Sequence, residues 1–238
     1  MERRLSERAN SAWYVSDVKI DALIVAAGSS TRFGSNKLLA DVGGRPLIAW
    51  TLAAFEAAAS IERIVVVTSD PGEMEALGRR FAPTKFGGCV PGGERRRDSV
   101  EAGLRACGHG RYVAIHDGAR PMVTPELIDR CVEAAEGKAG AICAIPSHDT
   151  IKEVDDGFVT GHPERSRLWA AQTPQVVLRQ AWLDAAAASD GDETDDAAML
   201  ARLGLECVVV EGDIENLKVT RPLDLDVVRL IAERRMGR

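Results

Sequence analysis

Cationic side chains follow glycines at several points of the chain, and this combination is suited to binding polyphosphate. In the first such stretch, LIVAAGSSTRFGSNK at 23–37, an apolar run leads into Gly28 and a loop that carries Arg32 and Lys37. Backbone N–H groups of such a turn and two nearby cations form an anion-binding surface. The loop lacks the motifs of a P-loop or a dinucleotide fingerprint. A tight turn would explain Gly28 and Gly34 but not the cations, so phosphate binding is the favoured interpretation.

A second glycine-rich stretch, PGGERRRDS at 91–99, places three consecutive arginines at the start of a predicted helix. Cations at a helix N-terminus oppose the helix dipole unless an anion or an acidic partner offsets them. Because consecutive helical residues point about 100° apart, at most one or two of these arginines can face the same ligand. A solvated basic first turn is the alternative interpretation.

A third stretch, HDGARP at 116–121, places Asp117 at the carboxyl end of a predicted strand. Open α/β sheets bind their ligands at that edge. Mg²⁺ takes one or two carboxylates together with phosphate and water, so Asp117 is a candidate magnesium contact and Arg120 a counter-charge for phosphate. An aspartate turn with a salt bridge is the alternative. His116 is interpreted as structural. Lys218 in NLKVT is a candidate phosphate-binding residue only because the other cationic groups accompany it.

The elements that must position these side chains alternate between β-branched runs and helical stretches. This alternation predicts an α/β protein with a mostly parallel sheet covered by helices on both faces. We predict strands at about 20–27, 61–69, 85–90, 111–116, 139–146 and 205–211. We predict helices from Pro46, at 72–81, at 99–107, from Pro125 with Thr124 as cap, at 179–188, at 195–203 with Thr194 as cap, and from about 222.

The alternation is interrupted by a polar segment at about 147–170 that contains a hairpin-like DDG at 155–157. A two-stranded ribbon buries little surface by itself, so we expect this arm to lie on a second copy of the chain. The remainder of 18–238 is expected to be one domain, and residues 1–17 a poorly ordered extension.

Composition excludes several classes of protein. The net charge of −6 argues against non-specific binding to nucleic acid or to an anionic membrane. Five cysteines without a C-x-x-C pair favour reduced thiols and a cytoplasmic location. The sequence has no apolar run long enough to span a membrane, and no signature for acyl transfer or metalloprotease chemistry.

Seven motifs in order carry a resemblance to a known family. They are AAGSSTRFGSNK, GGERRRDS, HDGARP, HDTIK, LWAAQTPQ, TDDA and NLKVTRP. From about residue 20 to about 230, the chain resembles the 2-C-methyl-D-erythritol 4-phosphate cytidylyltransferases of the non-mevalonate isoprenoid pathway. The ribitol 5-phosphate cytidylyltransferases share this architecture and are the alternative. A nucleotide-binding regulator without turnover is the alternative of a different class.

The resemblance implies a Rossmann-like nucleotidyltransferase fold with a protruding β-arm, a homodimer built on that arm, and CTP and Mg²⁺ as cosubstrate and cofactor. It implies nucleotide contacts at Ala26, Ala27, Gly28, Gly92, Gly93, Arg96 and Ser99. It implies a sugar-phosphate pocket lined by Asp117, Arg120, Thr150, Arg165 and Thr173, with Arg165 coming from the partner's arm. Arg32, Lys37 and Lys218 are the implied charge stabilisers of the reaction.

Overall fold

The computed structural model describes residues 18–28, 36–188, 191 and 193–237. The predicted N-terminal extension, Arg32 and Gly34 lie outside these residues.

Strands and helices alternate along the described residues. The strands are β1 (Ile20–Ala26), β2 (Asp41–Val42), β3 (Arg45–Pro46), β4 (Ile61–Thr68), β5 (Phe86–Pro91), β6 (Tyr112–Asp117), β7 (Gly140–Pro146), β8 (Glu153–Asp155), β9 (Phe158–Gly161), β10 (Trp169–Leu178) and β11 (Val208–Glu211). The helices are α1 (Leu47–Ala57), α2 (Pro71–Phe81), α3 (Arg96–Ala106), α4 (Pro125–Ala135), α5 (Arg179–Ala188), α6 (Asp196–Ala201) and α7 (Pro222–Arg235). Short 3₁₀ turns span Lys37–Leu39 and Arg165–Arg167.

The central sheet has seven strands in the order β11-β7-β10-β6-β1-β4-β5 within the described part of the chain. Neighbouring strands are parallel except that β10 runs antiparallel to both β6 and β7. One face packs against α1, α4 and α7 through residues such as Phe55 and Val228, and the other packs against α3, α5 and α6 through Leu104 and Trp182. The predicted mostly parallel α/β sheet with helices on both faces is confirmed.

Most predicted elements agree with the structure to within a residue or two, but three boundaries were wrong. Helix α3 begins at Arg96, three residues before its predicted start, because the Asp98 carboxylate accepts a hydrogen bond from the Arg95 N–H and caps the helix. Helix α6 is capped by Asp195, whose side chain accepts from the Ala198 N–H, and not by Thr194. Strand β11 begins at Val208 rather than at 205.

Strand β10 was not predicted at all. Its middle is polar, yet Gln172, Thr173 and Gln175 are each less than 5% exposed. Such a run is usually typical of a loop, because buried polar groups are tolerated only where they find hydrogen-bond partners. In this strand most of the partners come from segments remote in sequence, such as Asp117, Asp196 and Asp213.

The predicted hairpin in the arm is confirmed as the β8–β9 pair, which forms a separate two-stranded sheet. Its turn residues Asp156 and Gly157 have φ values of 46° and 81°, the left-handed conformation that a two-residue hairpin turn requires. The arm exposes large apolar side chains, with Phe158 74% and Val154 60% exposed.

No helix among the described residues is both long enough and apolar enough to cross a bilayer.

Candidate functional site

Three cations surround the carboxylate of Asp117 at the carboxyl end of β6. Lys218 Nζ lies 2.8 Å from Oδ2, Arg96 Nε lies 3.5 Å from Oδ1, and Arg120 Nε lies 3.9 Å from Oδ2. The cations come from the loop before α7, from the first turn of α3 and from the turn that follows β6. Only the fold can bring these separate segments to the carboxylate of Asp117, a residue that is 8% exposed.

Backbone hydrogen bonds fix the turn and the loop that carry these charges. The Arg120 N–H donates to the Asp117 carbonyl at 2.9 Å, which closes the turn after β6. The Val219 N–H donates to the Ala119 carbonyl at 2.9 Å, so the loop of Lys218 is tied to the same turn. The Arg120 guanidinium also donates to the carbonyl of Asn216 at 2.8 Å. The positive groups are therefore held in place by the protein itself.

The surrounding charges determine the ionisation of Asp117. Burial raises the pKa of a carboxyl group, but Lys218, Arg96 and Arg120 outweigh this effect and hold the pKa of Asp117 well below its ordinary value. Burial lowers the pKa of Arg120, against the opposing effect of Asp117. Asp117 is therefore a stable anion at neutral pH.

Arg96 links Asp117 to a second buried carboxylate, that of Asp196. Its Nη1 and Nη2 donate to Asp196 Oδ1 and Oδ2 at 3.1 and 2.7 Å, a bidentate pair, and Trp182 Nε1 donates to Oδ1 at 3.1 Å. Burial opposes the charge of Arg96, but Asp196 and then Asp117 raise its pKa above the ordinary value. Reasoning from the residues missed Asp196; the only signal for it was its place in the TDDA motif.

The other two arginines at the start of α3 have different partners. Arg95 pairs with Asp98 at 2.8 Å, and Arg97 is buried and donates to the carbonyls of Ala186 and Gly191. Arg96 is thus the one of the three that approaches Asp117, in agreement with the prediction that at most one or two could face one ligand.

The Asp117 cluster, which we define as Arg96, Asp117, Arg120, Asp196 and Lys218, carries three positive and two negative charges. The resulting single net positive charge lies at the sheet edge where α/β proteins bind their ligands. Such a cluster is suited to binding an anion and to stabilising negative charge that develops on it.

A second group of predicted residues meets beside the ends of β1 and β5. A Cβ atom placed on Gly92 would lie 2.2 Å from the Cβ of Ala27 and 3.1 Å from Ser99 Oγ, so only glycine fits there. The Gly93 N–H donates to Ser99 Oγ at 3.1 Å. The structure therefore brings Ala27, Gly92, Gly93 and Ser99 together.

The remaining residues of the first glycine stretch flank this group. Ala26 is the last residue of β1, and Lys37, which is half-buried, begins the 3₁₀ turn that Asn36 caps. Among the described residues, which do not include 29–35, a Cβ atom on Gly28 would meet no atom within 4 Å, and this glycine does not have a left-handed φ.

The sugar-phosphate residues implied by the resemblance divide into two sets. Thr173 lies beside the Asp117 cluster, because its Oγ1 accepts from the Asp117 N–H at 3.1 Å. Thr150 and Arg165 lie on the arm and are exposed, and Arg165 Nη1 donates to the His148 carbonyl at 3.5 Å. Within the described ranges, no hydrogen bond or ion pair joins Thr150 or Arg165 to the Asp117 cluster.

Comparison with known proteins shows the family of the chain. The model of the family "2-C-methyl-D-erythritol 4-phosphate cytidylyltransferase" (IspD) matches residues 20–234. The chain belongs to this family.

Individual relatives match almost from end to end. The enzymes of that name from Synechocystis sp. and Synechococcus sp. are 43% and 44% identical over 225 residues, which is 91% and 90% of this chain and 98% and 99% of theirs. Among solved structures, the Thermus thermophilus cytidylyltransferase is 29% identical with a TM-score of 0.75, over 91% of this chain and 100% of that one. The Anaerococcus prevotii 4-diphosphocytidyl-2C-methyl-D-erythritol synthase is 27% identical with a TM-score of 0.79, over 94% and 98%.

The cytidylyltransferase resemblance implied Mg²⁺, but the donors around Asp117 do not fit a direct metal contact. Both of its oxygens already face cations, and a dication there would be repelled by Arg96, Arg120 and Lys218. Among the described residues, no group of three or more His, Cys, Asp or Glu side chains could hold a metal ion. The geometry therefore argues against Asp117 as a direct magnesium ligand.

The burial of His116 predicts that the unfolding free energy depends on pH. Burial lowers its pKa from the ordinary 6.5 to about 4, so between these values the unfolded chain binds a proton that the folded chain does not. The fold should lose roughly 3 kcal/mol as the pH falls through this window, with no further loss from His116 below it. The Asp117 contribution is lost only at lower pH, below the ordinary carboxyl value.

Urea unfolding of the wild type and of His116→Gln at several pH values between 7 and 4.5 measures this effect. We expect the variant to lose this part of the pH dependence, whereas the exposed-site control His109→Gln keeps it. Equal pH slopes for all three proteins would contradict the prediction.

The buried ion pair between Asp196 and Arg96 should contribute more to the unfolding free energy than an exposed ion pair does. Asp196→Asn removes the bidentate partner of Arg96 in a buried position, and we expect a loss on the order of 3 kcal/mol in unfolding free energy. The control is Glu101→Gln, which breaks an exposed pair with Arg105 on the same helix and should cost less than about 1 kcal/mol. Urea unfolding at pH 7 compares the two variants. Similar losses of unfolding free energy would contradict a larger contribution from the buried Asp196–Arg96 pair.

Proposed function

We propose that the chain transfers the cytidylyl group of CTP to 2-C-methyl-D-erythritol 4-phosphate, giving 4-diphosphocytidyl-2-C-methyl-D-erythritol and pyrophosphate. The observation that carries the proposal is the net positive Asp117 cluster at the carboxyl edge of the sheet. The activity named for the relatives, which match nearly the whole chain, supports the same reaction.

The chemistry of the reaction fits a site made of cations and backbone donors. The 4-phosphate of the acceptor attacks the α-phosphorus of CTP, the new P–O bond forms, and the bond to the β-phosphate breaks to release pyrophosphate. A phosphate dianion is already a nucleophile at neutral pH, so the step needs no general base. The main barrier is the repulsion between two anions, which fixed positive charges and in-line positioning lower.

The proposed roles follow the two groups of residues described above. The CTP site comprises Ala26, Ala27, Gly28, Gly92, Gly93 and Ser99, with Arg32 and Lys37 on its phosphates. The acceptor site comprises Asp117, Arg120 and Thr173, together with Thr150 and Arg165 of the arm. Arg96, which bridges Asp117 and Asp196, lies between the two sites, and Lys218 joins Arg32 and Lys37 as a charge stabiliser.

Mg²⁺ belongs to the proposal as a companion of CTP, held through the triphosphate. When bound it supplies charge neutralisation.

We further propose that the protein is a homodimer built on the arm. Large apolar side chains on a two-stranded ribbon favour a protein partner, and the exposure of Phe158 and Val154 fits a second copy of the chain. Arg165 of the partner subunit would then complete each acceptor site. The five free thiols favour a cytoplasmic location.

An assay for pyrophosphate tests the function. We expect release from CTP with methylerythritol phosphate, and much less with ribitol 5-phosphate. Lys37→Ala should lower kcat on the order of 100-fold or more, because a preorganised charge stabiliser is lost. Lys138→Ala, an exposed lysine at the opposite edge of the sheet, is the matched control. If neither acceptor supports pyrophosphate release, the alternative of a nucleotide-binding regulator is favoured. Normal turnover in Lys37→Ala would remove that residue from the mechanism.

Mixed dimers test the shared site. If Arg165 acts in the partner's site, then inactive Lys37→Ala and Arg165→Ala subunits should form hybrids with one intact site, giving about a quarter of wild-type activity on random mixing in a two-fold dimer. Lys37→Ala mixed with Lys218→Ala is the control, because both residues serve the same subunit's site and no intact site can form. Absence of recovery in the first mixture would contradict a site shared between subunits.

A further inference from the structure

His116 lies in the core directly beneath the turn that carries Asp117 and Arg120. It is fully buried on β6 and packs against Phe55 of α1, with ring centroids 5.0 Å apart. Successive side chains of a strand point to opposite faces, so the imidazole lies on the face away from the Asp117 carboxylate. Any effect of His116 on the reaction must therefore pass through the backbone or through another side chain.

Both ring nitrogens of His116 have partners in the site. Nε2 lies 3.2 Å from the carbonyl oxygen of Arg120, and Nδ1 lies 3.0 Å from Thr173 Oγ1. Thr173 Oγ1 in turn accepts from the Asp117 N–H at 3.1 Å. The imidazole thus connects to the turn at both ends, directly at Arg120 and through Thr173 at Asp117.

These partners fix the tautomer of the ring. A carbonyl oxygen only accepts, so the Nε2–H must donate to Arg120. In the neutral ring Nδ1 then holds a lone pair, and the Thr173 hydroxyl donates to it while its oxygen accepts from the Asp117 N–H. In this series of hydrogen bonds, from the Asp117 N–H through Thr173 and His116 to the Arg120 carbonyl, every donor faces an acceptor.

The surroundings of the ring favour the neutral form. The charged groups that act on it are Asp117 from its own strand and Arg120 from the following turn, while α1 and β10 present Phe55 and Thr173. Burial is the largest effect and lowers the pKa of His116 to about 4.

We propose that His116 is a positioning residue for the transfer reaction: as a neutral imidazole protonated on Nε2, it fixes the Arg120 carbonyl and the Thr173 hydroxyl, and thereby the turn that holds Asp117 and Arg120 in the acceptor site. This inference rests on the proposed function. It differs from the interpretation of His116 as only a structural histidine, because it predicts an effect on the acceptor and not on CTP.

Two amide variants separate the two hydrogen bonds of the ring. The amide oxygen of His116→Asn replaces Nδ1 and can still accept from Thr173, whereas the amide N–H of His116→Gln replaces Nε2–H and can still donate to Arg120. Each variant keeps one end of the connection and loses the other. We expect each to lower kcat/KM for methylerythritol phosphate by about 10- to 100-fold, with KM for CTP changed less than about threefold, because small misplacement of positioning groups has costs of this size.

The matched control is Tyr112→Phe, which removes a partly buried hydrogen bond at the other end of the same strand, from the Tyr112 hydroxyl to the Lys138 carbonyl. This variant should keep both kinetic constants. Urea unfolding of all variants shows how much stability each loses. His116 variants that are less stable but keep wild-type acceptor kinetics would overturn the proposal, as would equal losses toward both substrates.

A measurement on the wild type covers the case in which neither His116 variant folds. Nitrogen NMR of ¹⁵N-histidine-labelled protein at pH 7 reports which ring nitrogen carries the proton. The proposal requires the proton on Nε2 alone, and an Nδ1–H tautomer or a doubly protonated ring would overturn it. Wild-type turnover in the pyrophosphate assay is scored separately, so failure of the proposed function and failure of the positioning role are distinguishable.

Discussion

The site depends on the balance between one buried carboxylate and the cations that converge on it. Asp117 could not remain ionised in the core without them, and the guanidinium groups of Arg96 and Arg120 could not be desolvated without a carboxylate to face. The free-energy cost of burying each charge is offset by its attraction to the opposite charges beside it. The fold must therefore deliver the first turn of α3, the turn after β6 and the loop before α7 to the same point, and any change that separates them leaves a buried charge uncompensated.

This balance has a direct chemical use. Two phosphoryl groups repel each other in water, where solvent must reorganise around the charge that develops during transfer. In the Asp117 cluster the positive groups are already oriented, by the carboxylates they contact and by bonds such as that between Val219 and Ala119. Because the compensation is incomplete and leaves one net positive charge, the cluster can still attract and stabilise a phosphate.

Side chains of the antiparallel strand β10 form hydrogen bonds to the segments that carry the Asp117 cluster, and these bonds form a network. Its Gln175 side chain accepts from the Asp196 N–H at 3.0 Å, and Thr173 accepts from the Asp117 N–H. Its Gln172 side chain accepts from Asn216 Nδ2 at 3.3 Å, next to the loop of Lys218. Polar residues that would weaken an ordinary core strand thus connect the segments that carry the charges. The same strand leads directly from the exposed arm to this network.

The sequence alone determined the alternating elements, the cap at Thr124 and the position of Asp117 at a strand end, because these depend on residues only a few positions apart. The ordered motifs were also sufficient to place the chain in its family. The family resemblance had singled out Arg96, but only the tertiary structure explains why Arg96 rather than its neighbours reaches the site, since its partner Asp196 is a hundred positions away. For the same reason the buried strand that carries Thr173 resembled a loop in the sequence. Local preferences are encoded in spacing, whereas the partners of buried polar groups are chosen by the order of the strands in the sheet.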